Sequence, residues 1–255
     1  TPTYFSGSSQ AKTQGGMASN GSGEILYAYR ANNGYGTVQV VSYATPGGSI
    51  TYGTPVTFLS SSTGGVSCAY DAQSGYYVVA YTNSGSNFVG EVRGVSVSGT
   101  TPTAYTASSL SSYPYQVSNT DCEYDPTQQM TFVAYDYNYD DGGSFFYGGG
   151  QVRLCQPSSA YNPPTLHGNV DAVGGSYSFL GRASMVYDPS VSKTVIHFCN
   201  TLGNASSKII SVSGTSLSFS SSTAFNSGYT TNPFATYDSN QNAQVVAYRD
   251  SSNKG

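Results

Sequence analysis

The most polar cluster in the chain is Asp136-Tyr137-Asn138-Tyr139-Asp140-Asp141-Gly142-Gly143. Oxygen ligands at every second position match the opening of a calcium loop, which wraps a hard cation in carboxylates and amides. Asp136, Asn138, Asp140 and Asp141 are thus the candidate metal ligands, and Ca2+ is the one cofactor that the residues offer. The pattern departs from the loop signature in two ways: glycine comes one position late, and the twelfth residue is Tyr147 instead of Glu. A solvated acidic loop is the plainer reading. Tyr135, Tyr137, Tyr139 and Tyr147 run through the same stretch. Their rings could stack on sugars, which makes them candidates for glycan contact, although Tyr also favours strands on its own account.

Other reactive side chains are few. Cys68, Cys122, Cys155 and Cys199 lack the Cys-x-x-Cys spacing of metal and redox motifs. An extracellular chain with four cysteines is expected to form two disulfides. Cys68 with Cys122 and Cys155 with Cys199 is one of the three pairings that four cysteines allow, and buried free thiols in apolar slots are the alternative. Asn20 (Asn-Gly-Ser) and Asn204 (Asn-Ala-Ser) head glycosylation sequons in polar, turn-like sequence. His167 and His197 are the only histidines, and His197 lies inside a Val-Ile-His-Phe strand. No nucleophile elbow, zinc-protease motif or phosphate loop is present. Glu24, Glu91 and Glu123 are the only glutamates, and none sits in a distinctive motif. A glycosidase pair of carboxyls would have to be brought together by the fold.

The element that positions these residues is a repeat: an apolar slot, Tyr-Asp, a polar turn, then a Val-Val-Ala-Tyr strand. It runs from Cys68 to Tyr81, from Cys122 to Tyr135, from Met185 to Phe198 and from Ala235 to Tyr248, with a weaker copy from Met17 to Tyr29. Asp71, Asp125, Asp188 and Asp238 each stand ten residues before the closing aromatic residue. In two copies Pro follows the Asp directly, a type I turn signature, so these carboxylates read as turn caps before they read as a ring of ligands. Short runs rich in branched and aromatic residues, punctuated by Gly, Asn and Ser, give four strands per copy. A period of about 50 residues with four strands is the arithmetic of a propeller blade. The expected fold is all-β, a five-bladed propeller in one domain, with units 6–58, 59–110, 111–175, 176–225 and 226–255. Residues 1–5 resemble a fourth strand and are placed to close the last blade.

Charged residues make up only 9% of the 255, against an ordinary share of about 25%. The 24 Tyr and 11 Phe are too many rings to leave in water, which argues for a packed core over disorder. With no Lys/Arg cluster and a net charge of −4, a nucleic-acid partner is not expected. No apolar run is long enough to span a membrane.

The Tyr-Asp, polar turn, Val-Val-Ala-Tyr-Arg-Asp pattern, clearest from Tyr237 to Asp250, is similar to repeats of phage tail fibres and of secreted surface proteins of marine microbes. That resemblance implies an extracellular or virion-surface propeller-like array and no catalytic set. The expected function is a non-enzymatic structural or adhesive module that self-associates into a fibre or filament. A lectin-like glycan-binding propeller and a five-bladed glycoside hydrolase are the alternatives.

Overall fold

Each copy of the motif folds as an antiparallel hairpin extended into a sheet. The computed structural model describes residues 15–44, 48–112, 115–140, 145–157, 163–173, 182–200 and 202–250, leaving out the side chains of 139–148. The first sheet holds β1 (Gly15–Ser19), β2 (Glu24–Arg30), β3 (Tyr35–Tyr43) and β4 (Ile50–Tyr52). A long strand, β5 (Val56–Asp71), joins it to the second sheet of β6 (Tyr76–Asn83), β7 (Val89–Ser98) and β8 (Thr101–Ser109). The first half of β5 pairs with β3 and the second half with β6. The third sheet is β9 (Tyr115–Asp125), β10 (Met130–Asp140), β11 (Phe145–Gln156) and β12 (Thr165–Asp171). The fourth is β13 (Ser184–Asp188), β14 (Lys193–Cys199), β15 (Ala205–Ser213), β16 (Ser216–Phe219) and β17 (Thr223–Asn226). The last is the two-stranded β18 (Thr230–Asp238) and β19 (Ala243–Asp250). Every ladder is antiparallel and no described sheet closes on itself. The only helical segment among the described residues is one 3-10 turn at Ser84–Ser86. The fold is all-β and propeller-like; the expected closure by residues 1–5 lies outside the described residues.

The recurrent Asp does what its turn chemistry predicts. Asp125 Oδ1 accepts the amides of Thr127 and Gln128, both at 2.9 Å, and Asp71 Oδ1 accepts Ser74 N at 2.9 Å. Four residues after each Asp the chain enters the left-handed region, at Gly75, Gln129, Ser192 and Asn242. The same Asp also ties neighbouring sheets together through its second oxygen. Asp71 Oδ2 accepts Thr131 Oγ1 at 3.0 Å, Asp125 Oδ2 accepts Thr194 Oγ1 at 2.9 Å, and Asp188 Oδ2 accepts Gln244 Nε2 at 3.0 Å. In the first copy, where Asn20 stands for Asp, Glu24 takes over: it accepts Asn20 Nδ2 at 3.3 Å and the Tyr77 hydroxyl at 2.8 Å.

The core is layered between sheets. Leu26, Ala28, Val38 and Val40 of the first sheet meet Val66, Tyr77, Val79 and Tyr81 of the second. The opposite face of β6, Val78 and Ala80, packs with Val117, Cys122 and Val133 of the third. Phe132, Val152 and Leu154 in turn face Met185, Ile196 and Phe198 of the fourth. A strand covered on both faces needs a continuous apolar run, which is why Val-Val-Ala-Tyr does not alternate. Burial of each large side chain contributes about 1.5–3 kcal/mol. In β19 the same sequence is covered on one face only, and Val245 is 52% exposed.

Candidate functional site

Residues of β1, β5, β9, β13 and β18, the first strand of each motif copy, border one cavity of about 830 Å3. Asp121 and Glu123 are its carboxylates among the described lining residues, and Arg182 is its cation. Two positions apart on β9, both carboxyls lie on one side of the strand, with backbones about 7 Å apart. Asp121 Oδ2 accepts Met185 N at 2.7 Å and Glu123 Oε1 accepts Tyr187 N at 2.8 Å, so the edge of β13 fixes both. Arg182 Nη2 donates to Thr120 O at 3.2 Å.

The two carboxyls differ in acidity. Burial pushes Asp121 up to about 6, opposed by the Met185 amide and the Arg182 charge. Burial pushes Glu123 up to about 8, opposed by the Tyr187 amide and reinforced by the negative charges of Asp121 and Asp125. Burial thus raises Glu123 further than Asp121, the direction in which neighbouring carboxyls are set apart for acid and base roles. Tyr124, Tyr187, Phe234 and Tyr237 add aromatic surface to its wall.

The repeat separates structural from particular features here. The Asp121 slot holds Gly16, Ser67, Ser184 and Phe234 in the other copies, and the Glu123 slot holds Ala18, Ala69, Val186 and Thr236. Ser184 Oγ accepts Ala235 N at 3.0 Å, as Asp121 accepts Met185 N, so the first slot also serves to tie inner strands. Glu123 has no counterpart. Asp121 carries no motif that singles it out in the sequence; the usable signal is its departure, with Glu123, from the small or neutral residues of the aligned copies.

The acidic stretch is placed differently from a cation loop. Asp136 and Asn138 lie within β10, alternating with tyrosines as strand residues do. A register shift against β9 between Tyr135 and Tyr137 frees two amides, and Asp136 Oδ1 accepts them, Ser118 N at 3.2 Å and Asn119 N at 2.6 Å. Burial raises Asp136 to about 6 against these bonds. Asn138 Nδ2 donates to Ser118 Oγ at 3.2 Å. The side chain of Asp140 and all of Asp141 lie outside the described residues. Among the described residues no three His, Cys, Asp or Glu side chains gather as a metal site.

Tyr135 and Tyr137 line a second cavity, of about 460 Å3, between the end of β8 and the third sheet, with Tyr115, Gln151, Arg153 and Asn169. Tyr139 and Tyr147 lie outside the described side chains. The expected disulfides are corrected: all four cysteines are free and buried. Cys68 belongs to the layer between the first two sheets, whereas Cys122 and Cys155 belong to the next layer. Cys68 Sγ faces Leu26 O at 3.8 Å and Cys122 Sγ faces Ser67 Oγ at 3.3 Å. Burial pushes the Cys122 and Cys199 thiols up to about 12, so neither supplies a thiolate at neutral pH. Asn20 is engaged in its own turn, accepting Ser22 N at 2.9 Å, while Asn204 is exposed. His197 is buried, with Nδ1 at 2.7 Å from Ser207 Oγ and Nε2 at 2.7 Å from Gln244 Oε1. Burial lowers its pKa.

No family model and no curated protein sequence matches the chain. Among solved structures, it is similar to an exo-β-1,3-galactanase from Phanerochaete chrysosporium holding β-1,3-galactotriose, with 12% identity and a TM-score of 0.50. That match covers 87% of this chain and 53% of the galactanase chain, so this chain spans about half of its length. A Hadza microbial sialidase is also similar, at 10% identity and a TM-score of 0.40, covering 87% of this chain and 60% of that one. The expectation of a non-enzymatic structural module is corrected by the first match. The galactanase has a similar fold, and the cavity bordered by β1, β5, β9, β13 and β18 holds two carboxyls, Asp121 and Glu123, that the fold brings together.

Proposed function

We propose that the chain is a glycan-active module of the glycoside hydrolase type, five units closed around the central cavity. The carrying observation is the split carboxyl pair in a cavity bordered by all five inner strands. Glu123, protonated at neutral pH, would deliver its proton to the leaving glycosidic oxygen. Asp121, ionised, would stand against the positive charge that develops on the sugar ring. A volume of about 830 Å3 suits a ligand of a few sugar units, within the roughly 300–1,000 Å3 of ordinary ligand sites. The tyrosines and Phe234 offer faces on which sugar rings stack. The galactanase similarity supports the fold part of this reading, and β-1,3-linked galactan is a first substrate to try. An extracellular setting goes with it, because such polymers lie there.

The test is release of reducing ends from β-1,3-galactan and from a panel of plant and algal polysaccharides. Wild-type protein is expected to cleave at least one. Glu123→Gln and Asp121→Asn are each expected to lose about 10²–10⁴-fold in rate, with melting temperatures that show the fold intact. Cleavage that survives both substitutions would refute the assignment, as would no turnover of any substrate by the wild type.

A further inference from the structure

Five residues hold one slot of the repeat and all border the first cavity: Gly16, Ser67, Asp121, Ser184 and Phe234. In the first four copies the slot is taken up by contact with the next sheet. A Cβ at Gly16 would come within 2.8 Å of Cys68 N, so β1 abuts β5 there. Ser67 Oγ lies 2.8 Å from Thr120 Oγ1 and 3.3 Å from Cys122 Sγ. Asp121 accepts Met185 N, and Ser184 accepts Ala235 N.

Phe234 breaks the series. Its ring can make no such tie, and it stands 71% exposed, whereas Ser67 and Ser184 are 3% and 5% exposed. The backbone is not the cause. β18 shifts register against β19 between Thr231 and Phe234, with Asn232 at φ 51°. β5 shifts against β6 in the same way between Gly64 and Ser67, with Gly65 at φ 52°. The bulge before the slot is therefore shared, and the side chain is what differs. A ring left in water gives up the folding contribution that burial brings, so the scaffold does not account for it. Met17, on β1, is likewise exposed at the same cavity, whereas Cys68, Cys122 and Met185 in its slot are buried.

The tyrosines of the cavity divide differently. Tyr124, Tyr187 and Tyr237 hold the Tyr of the Tyr-Asp motif, as Tyr70 does in the second sheet, and so belong to the repeat. The Tyr187 hydroxyl lies 2.7 Å from Thr127 Oγ1, and the Tyr237 hydroxyl donates to Asn242 Oδ1 of its own hairpin. Among the described lining residues, Phe234 is the aromatic side chain that no other copy shares.

An aromatic face carries the negative part of its quadrupole. The C–H groups of a pyranose ring are polarised by their oxygens and gather on a ring face, which packs on an aromatic ring while the hydroxyls at the rim keep their hydrogen bonds. We propose that Phe234 is the platform on which a pyranose ring of the substrate stacks in the cavity that holds Asp121 and Glu123. This assignment rests on the glycan-active reading above and adds to it the one side chain that holds the sugar ring.

Calorimetric titration with β-1,3-galactotriose, β-1,3-glucotriose and β-1,4-xylotriose tests it, run on the whole chain carrying Glu123→Gln so that binding is read without turnover. At least one trisaccharide is expected to bind. Phe234→Ala and Phe234→Leu are each expected to weaken that binding roughly tenfold or more, the second because it keeps apolar bulk and loses the aromatic face. Phe234→Tyr keeps the face and is expected to bind within about threefold of Phe234. All three are expected to melt where the parent does, because the side chain is exposed. No binding of any of the three sugars overturns the proposal. So does undiminished binding by Phe234→Ala or Phe234→Leu, a loss in Phe234→Tyr as large as in Phe234→Ala, or a melting temperature that falls in step with the binding. The expected pattern without hydrolysis by the wild type would remove the hydrolase assignment and leave the platform standing; hydrolysis indifferent to Phe234 would do the reverse.

Discussion

The second and third sheets share a motif, a register and a hairpin, and differ in what their side chains still lack. In the second, Tyr81, Glu91 and Arg93 close on one another, and the inner strand carries Ser67 and Ala69. In the third, Arg153 Nε is buried without a hydrogen-bond partner, and the first strand carries Asp121 and Glu123. The shared residues are those that make turns and layers; the differing ones face cavities. A repeat protein thus supplies its own control: the Glu123 carboxyl, whose slot holds Ala, Val or Thr in the other copies, is not what the scaffold needs at that position.

The largest expected effect comes from opening the closed copy. Glu91→Gln gives the second sheet the third sheet's arrangement and should lower stability by about 1–3 kcal/mol in urea denaturation, because Arg93 loses its charged acceptor. A loss below about 0.5 kcal/mol would mean that the triad is not what distinguishes the two copies.

The inner strands differ next in their pH response. The folded pKa of Glu123, about 8, stands above its ordinary 4.5. The stability it contributes is fully present below pH 4.5 and is lost as pH rises toward 8, since the folded state holds the proton longer. Melting temperature should therefore fall from pH 5 to pH 8, and Glu123→Gln should flatten that fall. Identical slopes would show that Glu123 is not held protonated. Ala69, in the same slot of the second sheet, contributes no such slope.

The smallest effect concerns the hairpins. The second sheet places Gly75 in the left-handed turn position, and the third places Gln129 there at φ 54°. Gln129→Gly should stabilise by up to about 1 kcal/mol, the usual cost of a side chain in that conformation less the entropy that glycine loses. A decrease in stability would mean that the Gln129 side chain has a role that the turn geometry hides.

Much of the scaffold could be read residue by residue. Asp71, Asp125, Asp188 and Asp238 were readable as turn caps because an Asp caps amides two or three positions away. Their second contacts, Thr131, Thr194 and Gln244, lie 60, 69 and 56 residues further on, and no local pattern announces them. Alternating oxygens from Asp136 onward fit a cation loop and a strand equally well; Tyr135 and Tyr137 alternating with them were the strand signal, and Asp136 and Asn138 lie in β10. The cysteines misled through their shared repeat slot, since equal slots in adjacent sheets face different layers.

By itself the sequence determined the strands, the turns and the spacing of the copies, because each depends on neighbours within about a dozen positions along the chain. The tertiary structure alone decided which polar groups meet. Asp121 and Glu123 border a cavity, and Arg153 Nε is buried without an acceptor, only because sheets far apart in sequence lie face to face. Burial and pairing set the acidity and the unmet bonds of a side chain, and both are properties of what packs against it.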